Sequence, residues 1–286
     1  MQQDSTCRYQ STFAALKEKN QKAFIPFVVI GDPNAEQSFE LIKSLIDNGA
    51  DALELGIPFS DPSADGETIQ KAALRAINAG INTDVCMDVL KKVRAYSPST
   101  PIGLLLYGNL VFARGIDNFY RDMKDAGVDS VLIADVPLRE SLPFRKSAAN
   151  HGIAPIFIAP PNASEDTLKE VASFSRGYTY VLSRAGVTGV DAEQLDDDSL
   201  SNAEQTQEAV SPAERLIDKL SLYKSAPPVL GFGISTPAQV KEALKAGALG
   251  AISGSAVVKV IEDNLDSPEQ MLNEMGKFIS EMKSAT

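Results

Sequence analysis

Four carboxylates crowd one short stretch, "LELGIPFSDPSADGETIQ" from Leu53 to Gln70: Glu54, Asp61, Asp65 and Glu67. Glu54 is the unusual one, because the surrounding Ala52–Ile57 run is otherwise apolar and reads as a buried strand. Side chains alternate along a strand, so Ala52, Glu54 and Gly56 share one face while Leu53 and Leu55 share the other. The leucines suit a strand–helix interface, which turns Glu54 inward between small residues. A carboxyl group placed there is costly to ionise, and desolvation raises its pKa towards neutrality, as a general acid and base requires. The same burial would also suit a glutamate tied to an arginine or to backbone amides. Asp65, in Ala64-Asp65-Gly66, reads from local sequence as a turn residue.

A second chemistry comes late in the chain. "SRAGVTG", "GFGIS" and "SGSAVV" each stand where a strand-like run meets a following helix. Amides in glycine turns and at helix N-termini bind phosphate without side-chain cations. This matters because the net charge is −11, with 27 Lys and Arg against 38 Asp and Glu, which disfavours nucleic-acid or membrane partners. An acidic chain can still hold a phosphorylated substrate if backbone dipoles form the site.

Elimination narrows the rest. The only histidine, His151, falls at an expected helix end, and the two cysteines, Cys7 and Cys86, form no metal cluster or disulfide framework, so no metal is expected. No lysine lies in a strand-like run and no nucleophile elbow occurs, which argues against Schiff-base, pyridoxal and serine-hydrolase chemistry. What remains is cofactor-free acid–base chemistry on a phosphorylated small molecule, in a pocket with aromatics such as Phe27, Tyr107, Tyr180 and Phe232.

These residues need elements to position them. Eight apolar runs alternate with helical patterns: Phe24–Ile30, Ala52–Ile57, Ile102–Tyr107, Ser130–Ala134, Ala154–Ile158, Tyr178–Leu182, Val229–Phe232 and Ala251–Ser253. Thr236, Pro237 and Gln239 mark a helix start with a capping box, and Gly247 its stop. "INTDVCMDVLKKVRAYSP" reads as an extra helix before strand three, and a further helix precedes strand one. "NGADALELG", "AGVDSVLIAD" and "AGALGAISGS" echo one another as a repeated helix-to-strand unit. The pattern favours an α/β fold, a single (β/α)8 TIM barrel over 1–286, with an open doubly wound sheet as the alternative. Active sites of such barrels collect at the carboxyl ends of the strands. No signal-peptide pattern or membrane-length apolar run is present, so a cytoplasmic location is expected.

"AFIPFVVIGDP", "ADALELGIPFSDPSADGETIQ", "ADVP", "GYTYVLSRAGVTG", "GFGIS" and "GAISGSAVVK", in that order, resemble the tryptophan synthase α subunit family from about Phe13 to the C-terminus. The resemblance implies a (β/α)8 lyase that cleaves indole-3-glycerol phosphate to indole and glyceraldehyde 3-phosphate. It implies a pyridoxal-phosphate β subunit as partner, in an αββα heterotetramer, with no cofactor in this chain. By resemblance, Glu54 is the acid–base residue, Asp65 accepts the indole N–H, and Tyr180 is a third catalytic residue that stands beside the glutamate and orients it. Phe27, Leu105, Leu132, Ile158 and Phe232 sandwich the indole, with Tyr107 in the same pocket. Thr188 closes over Asp65, Gly189, Gly233, Gly254 and Ser255 hold the phosphate, and Asp61, Pro62 and Asn109 face the β subunit. A non-catalytic partner-activating barrel, or another metal-free sugar-phosphate enzyme, is the alternative.

The chain departs from the family pattern at Ser63, Glu67 and Gly108, and Glu67 is expected to add negative charge beside Asp65 and loosen its loop. The largest departure is Val190–Val210, acidic and without a basic residue, expected to be a mobile, solvated extension of the closing loop.

Overall fold

The computed structural model describes residues 5–182 and 211–286. Helix α1 (Ser5–Glu18) precedes strand β1 (Ala23–Val29), followed by α2 (Ala35–Asp47) and β2 (Leu53–Gly56). Two helices, α3 (Glu67–Asn78) and α4 (Thr83–Tyr96), lead to β3 (Ile102–Leu106). Then come α5 (Gly108–Arg114), α6 (Ile116–Asp125), β4 (Ser130–Ile133) and α7 (Leu142–Asn150). Short strands β5 (Ala154–Pro155) and β6 (Ile158–Ala159) precede α8 (Glu165–Phe174) and β7 (Thr179–Leu182). The chain ends with α9 (Pro212–Leu222), β8 (Pro228–Gly231), α10 (Pro237–Lys245), β9 (Gly250–Ser253), α11 (Ser255–Glu262) and α12 (Pro268–Lys283).

All strand pairs are parallel, in the order β5-β4-β3-β2-β1-β9-β8-β7-β6. The two ends of that order are halves of one run, 154–159. Its first half pairs with β4, and the Ile156 N–H continues to the Val131 carbonyl. Its second half pairs with β7, and the Phe157 carbonyl accepts from the Tyr180 N–H. The run therefore closes the sheet into an eight-stranded barrel, as the alternation of elements predicts. All eight expected strand runs are present.

Two helices stand before β3. Helix α4, the segment expected to be the extra helix, packs beside α2 and α6 and so takes the regular place in the outer layer; α3, packed on α11 and β1, is the additional helix. Local signals set the helix boundaries. Thr236 and Gln239 form the expected capping box of α10, and Gly247 stops that helix with φ +95°. The Ser211 hydroxyl accepts from the Glu214 N–H at the start of α9.

The core has two parts. Leu53, Leu55, Leu104 and Leu106 belong to the layer between strands and helices. Ile25, Ala52, Leu132, Tyr178, Tyr180, Val229 and Ile252 fill the barrel itself, together with Tyr9 from α1. Helix α1 seals the amino end. Arg8 pairs with Asp129 at 2.6 Å, and the Tyr9 hydroxyl bonds to Ser130 at 2.9 Å. Asp129, wholly buried, also receives Arg94 at 2.6 Å and the Ile102 N–H at 2.8 Å.

Candidate active site

Strand β2 carries Glu54 on the face opposite its leucines, and the side chain is only 1% exposed inside the barrel. The Tyr178 hydroxyl donates to Glu54 Oε1 at 2.6 Å. Burial is the main influence on this carboxyl and pushes its pKa up to about 7; the Tyr178 bond pulls it down and the charge of Asp65 pushes it up. No arginine or lysine pairs with Glu54 among the described residues, so the arrangement is not that of a neutralised structural glutamate.

Asp65 lies on the loop between β2 and α3, in a turn whose amide bonds back to the Pro62 carbonyl at 3.0 Å. The Gln70 side chain of α3 donates to the Asp65 carbonyl at 2.7 Å. The Asp65 carboxylate is partly buried and accepts from the Tyr107 hydroxyl at 2.9 Å. Desolvation pushes its pKa up to about 6, against the Tyr107 bond, which lowers it. Tyr107 is held by the Ala64 N–H at 3.1 Å and stacks on Phe59 with ring centres 5.2 Å apart. The two carboxyl groups thus stand in different surroundings, Glu54 in the drier and Asp65 in the wetter, and the charge of Asp65 is felt by Glu54.

The aromatic and apolar positions converge on the same end. Phe27 sits beside Glu54 in the β1–β2 register and passes so close to Gly56 that a Cβ there would lie 2.9 Å from its ring. Phe27, Asp65, Leu105 and Tyr107 line one cleft, together with Ile69 and Ala73 from α3. Leu132 is buried in the barrel interior, and Ile158 packs partly buried against that cluster. Tyr180 shares the interior and lies close enough to Glu54 and Asp65 for both charges to disfavour its ionisation, after burial. Its ring occupies the space a side chain at Gly231 would need.

Tyr178 was not singled out by sequence reasoning, although it shares the inward face with Tyr180 two residues on. The hydroxyl that bonds and orients Glu54 is that of Tyr178, not that of Tyr180. Tyr9 carried no signal of its own.

At the ends of β8 and β9, Phe232 and Gly233 have successive positive φ values of 80° and 73°. The first is costly for a side-chain-bearing residue, a kind of strain that clusters at functional sites. The Ser253 hydroxyl donates to the Ile234 carbonyl at 2.7 Å, tying the Gly233 loop to the Gly254 turn. Gly254 caps α11, Ser255 is the first residue of that helix, and a Cβ on Gly254 would stand 3.7 Å from Phe27. The Gly254 turn and the first turn of α11 therefore stand beside the Phe27 ring, with the Gly233 loop tied to them through Ser253. Thr188, Gly189 and the acidic 190–210 segment lie outside the described residues.

Asp61 and Asn109 are exposed, Pro62 half-buried. Gly108, at the start of α5, donates its N–H to Asp135 at 2.7 Å. Glu67 does not burden Asp65 as expected: it is exposed and paired with Lys71 at 2.7 Å, which holds its carboxyl below the usual range. His151 caps the end of α7 and bonds to Asp117 at 2.9 Å; Cys86 is buried in the core. No group of three or more metal-ligating side chains occurs among the described residues.

Comparison with known proteins agrees with this geometry. The family described as tryptophan synthase alpha chain matches residues 13–286. The chain is 55% identical over 279 residues to the tryptophan synthase alpha chains of Escherichia coli (strain SMS-3-5 / SECEC) and Photorhabdus laumondii, covering 98% of each chain in both cases. Tryptophan synthase subunit alpha from Legionella pneumophila superposes with a TM-score of 0.82 at 27% identity, covering 97% of both chains. A tryptophan synthase complex from Pyrococcus furiosus gives 0.75 at 31% identity, covering 91% of this chain and 97% of that one. By sequence match along nearly its whole length and by fold, this chain belongs to the tryptophan synthase alpha chain family.

Proposed function

We propose that Glu54 and Asp65 divide the work of the lyase reaction that defines this family, the cleavage of indole-3-glycerol phosphate to indole and glyceraldehyde 3-phosphate in tryptophan biosynthesis. The observation that carries the reading is a carboxyl group sealed in the barrel with a pKa near 7 and a tyrosine as its hydrogen-bond donor. At neutral pH both of its forms are populated, so one group can give a proton and take one. Glu54 protonates the ring carbon that bears the glycerol chain, which places positive charge on the indole nitrogen. Asp65, with a pKa near 6, is mostly ionised at neutral pH and accepts the N–H, stabilising that cation. Glu54 then takes the proton of the hydroxyl next to the ring; the electron pair forms the aldehyde carbonyl, the carbon–carbon bond breaks, and its electrons restore neutral indole. The glutamate ends in the state in which it began.

Tyr178 orients Glu54, and Tyr107 orients Asp65. Phe27, Leu105, Leu132, Ile158 and Phe232 form the ring pocket, with Tyr180 beside the two acids. The amides of Gly233 and Gly254 and the hydroxyl of Ser255 hold the phosphate. Sequence resemblance adds Thr188 and Gly189.

The chain needs no cofactor of its own in this reading: two carboxyls suffice for the proton transfers, and no lysine stands in a described strand to hold pyridoxal phosphate. That cofactor belongs to a β subunit docking on Asp61, Pro62 and Asn109 in an αββα assembly; a Pyrococcus furiosus neighbour is described as an a2b2 complex. No helix among the described residues is long and apolar enough to cross a membrane, and a cytoplasmic location is proposed.

The test is indole release from indole-3-glycerol phosphate, with and without added β subunit. Glu54→Gln and Asp65→Asn should each lower kcat at least ~100-fold. Near-normal turnover in both variants would remove the proposed roles.

A further inference from the structure

Three elements that carry the candidate site meet in one ion cluster that the reaction scheme does not use. Asp32 follows the end of β1, is 1% exposed, and accepts two parallel bonds from Arg75 of α3: Nε to Oδ1 and Nη2 to Oδ2, both 2.8 Å. Arg75 Nη1 also faces Glu262, the last residue of α11, at 3.9 Å. Lys71, one turn earlier on α3, stands 3.9 Å from the same glutamate. Helix α3 is thus held at its far end to the tip of β1, which carries Phe27, and to α11, whose first turn carries Gly254 and Ser255. Its near end holds the Asp65 turn through Gln70.

A bidentate guanidinium–carboxylate pair fixes direction as well as distance, and lysine cannot copy it. The covering helix lacks the strand-to-strand ladder that holds the barrel wall, so its orientation depends on such anchors. We propose that Arg75, gripped by Asp32, is a positioning residue for Asp65: it sets the angle at which α3 presents that carboxylate to the barrel mouth. The inference rests on the role given to Asp65 above.

The experiment is a double-mutant cycle on kcat and KM for indole release from indole-3-glycerol phosphate by the intact chain. Arg75→Gln should lower kcat about tenfold while KM moves less than about twofold, because Phe27, Leu105 and the phosphate amides lie on elements other than α3. In an Asp65→Asn background, Arg75→Gln should cost no more than about twofold further, since its effect passes through the missing carboxylate. If Arg75→Gln alone fails to fold, with Asp32 buried and unpaired, Asp32→Asn/Arg75→Gln leaves a neutral pair and serves in its place, with the same expected loss. Wild-type kcat in the folded variant, or a full additional loss in the Asp65→Asn background, overturns the inference while leaving the role of Asp65 intact. Normal turnover by Asp65→Asn alone removes the role of Asp65, and the inference falls with it.

Discussion

Glu54 makes the acid–base site and costs the fold stability for the same reason. Its pKa is about 7 in the folded chain against an ordinary value of 4.5. A raised carboxyl pKa means that the folded state holds the proton more tightly than the unfolded one. Stability from this group is therefore fully present below about pH 4.5 and lost as pH rises through 7, a cost of about 3 kcal/mol at pH 8. Glu54→Gln should be more stable than the parent at pH 8 and no more stable at pH 4.5, as read by urea unfolding at both. Tyr178→Phe tests the neighbouring group. Its hydroxyl favours the Glu54 anion, so removing it should push the carboxyl above 7 and shift the titration of kcat that belongs to Glu54 to more alkaline pH. An unmoved profile would show that the bond is not felt by the acid. The inward face of Glu54 was legible from strand alternation, because the period of two decides facing without any tertiary knowledge. Its partner was not legible: Tyr178 and Tyr180 both face inward, and which one reaches the acid depends on how the closed barrel sets β7 against β2.

At the scale of elements, the strands and caps were readable because each signal is local. The capping box at Thr236 and Gln239 and the alternation of apolar runs need no partner from afar. The clamp around Asp129 is of another kind. "AGVDSVLIAD" looks like a loop entering a strand, yet its first aspartate gathers Arg8 from α1, Arg94 from α4 and the Ile102 amide from β3. Residues more than 100 positions apart meet there, so no window of sequence displays the contact. Asp129→Ala would leave two guanidinium groups and an amide without their acceptor and should destabilise the fold by about 3–5 kcal/mol. Urea unfolding of parent and variant measures this; a loss below about 1 kcal/mol would mean that the clamp is not structural. The division of labour between α3 and α4 was misread: the sequence pattern made α4 the extra helix, but both are amphipathic and packing makes α3 the one outside the regular layer.

At the scale of the molecule, the last helix joins the ring. Lys283 of α12 bonds to Asp51 at 2.8 Å, and Asp51 accepts the Phe24 N–H at the start of β1. Met271, Met275, Ile279 and Met282 of the same helix are buried against the barrel's outer layer. Ending the chain before Pro268 should therefore abolish cooperative folding rather than trim a tail, with circular dichroism and urea unfolding as the measure; a truncated chain that still unfolds in one sharp transition would contradict this.

The seal at the amino end has its own consequence. Tyr9 fills the space that Gly103 leaves beside Glu54 in the β2–β3 register, and α1 closes the opening below it. Among the described residues the barrel is plugged at its amino end. With that end plugged, solvent protons reach the glutamate from the rim side. A ligand lodged there would act as a stopper, and the hydrogen on Glu54 would stop exchanging with bulk water until the stopper left.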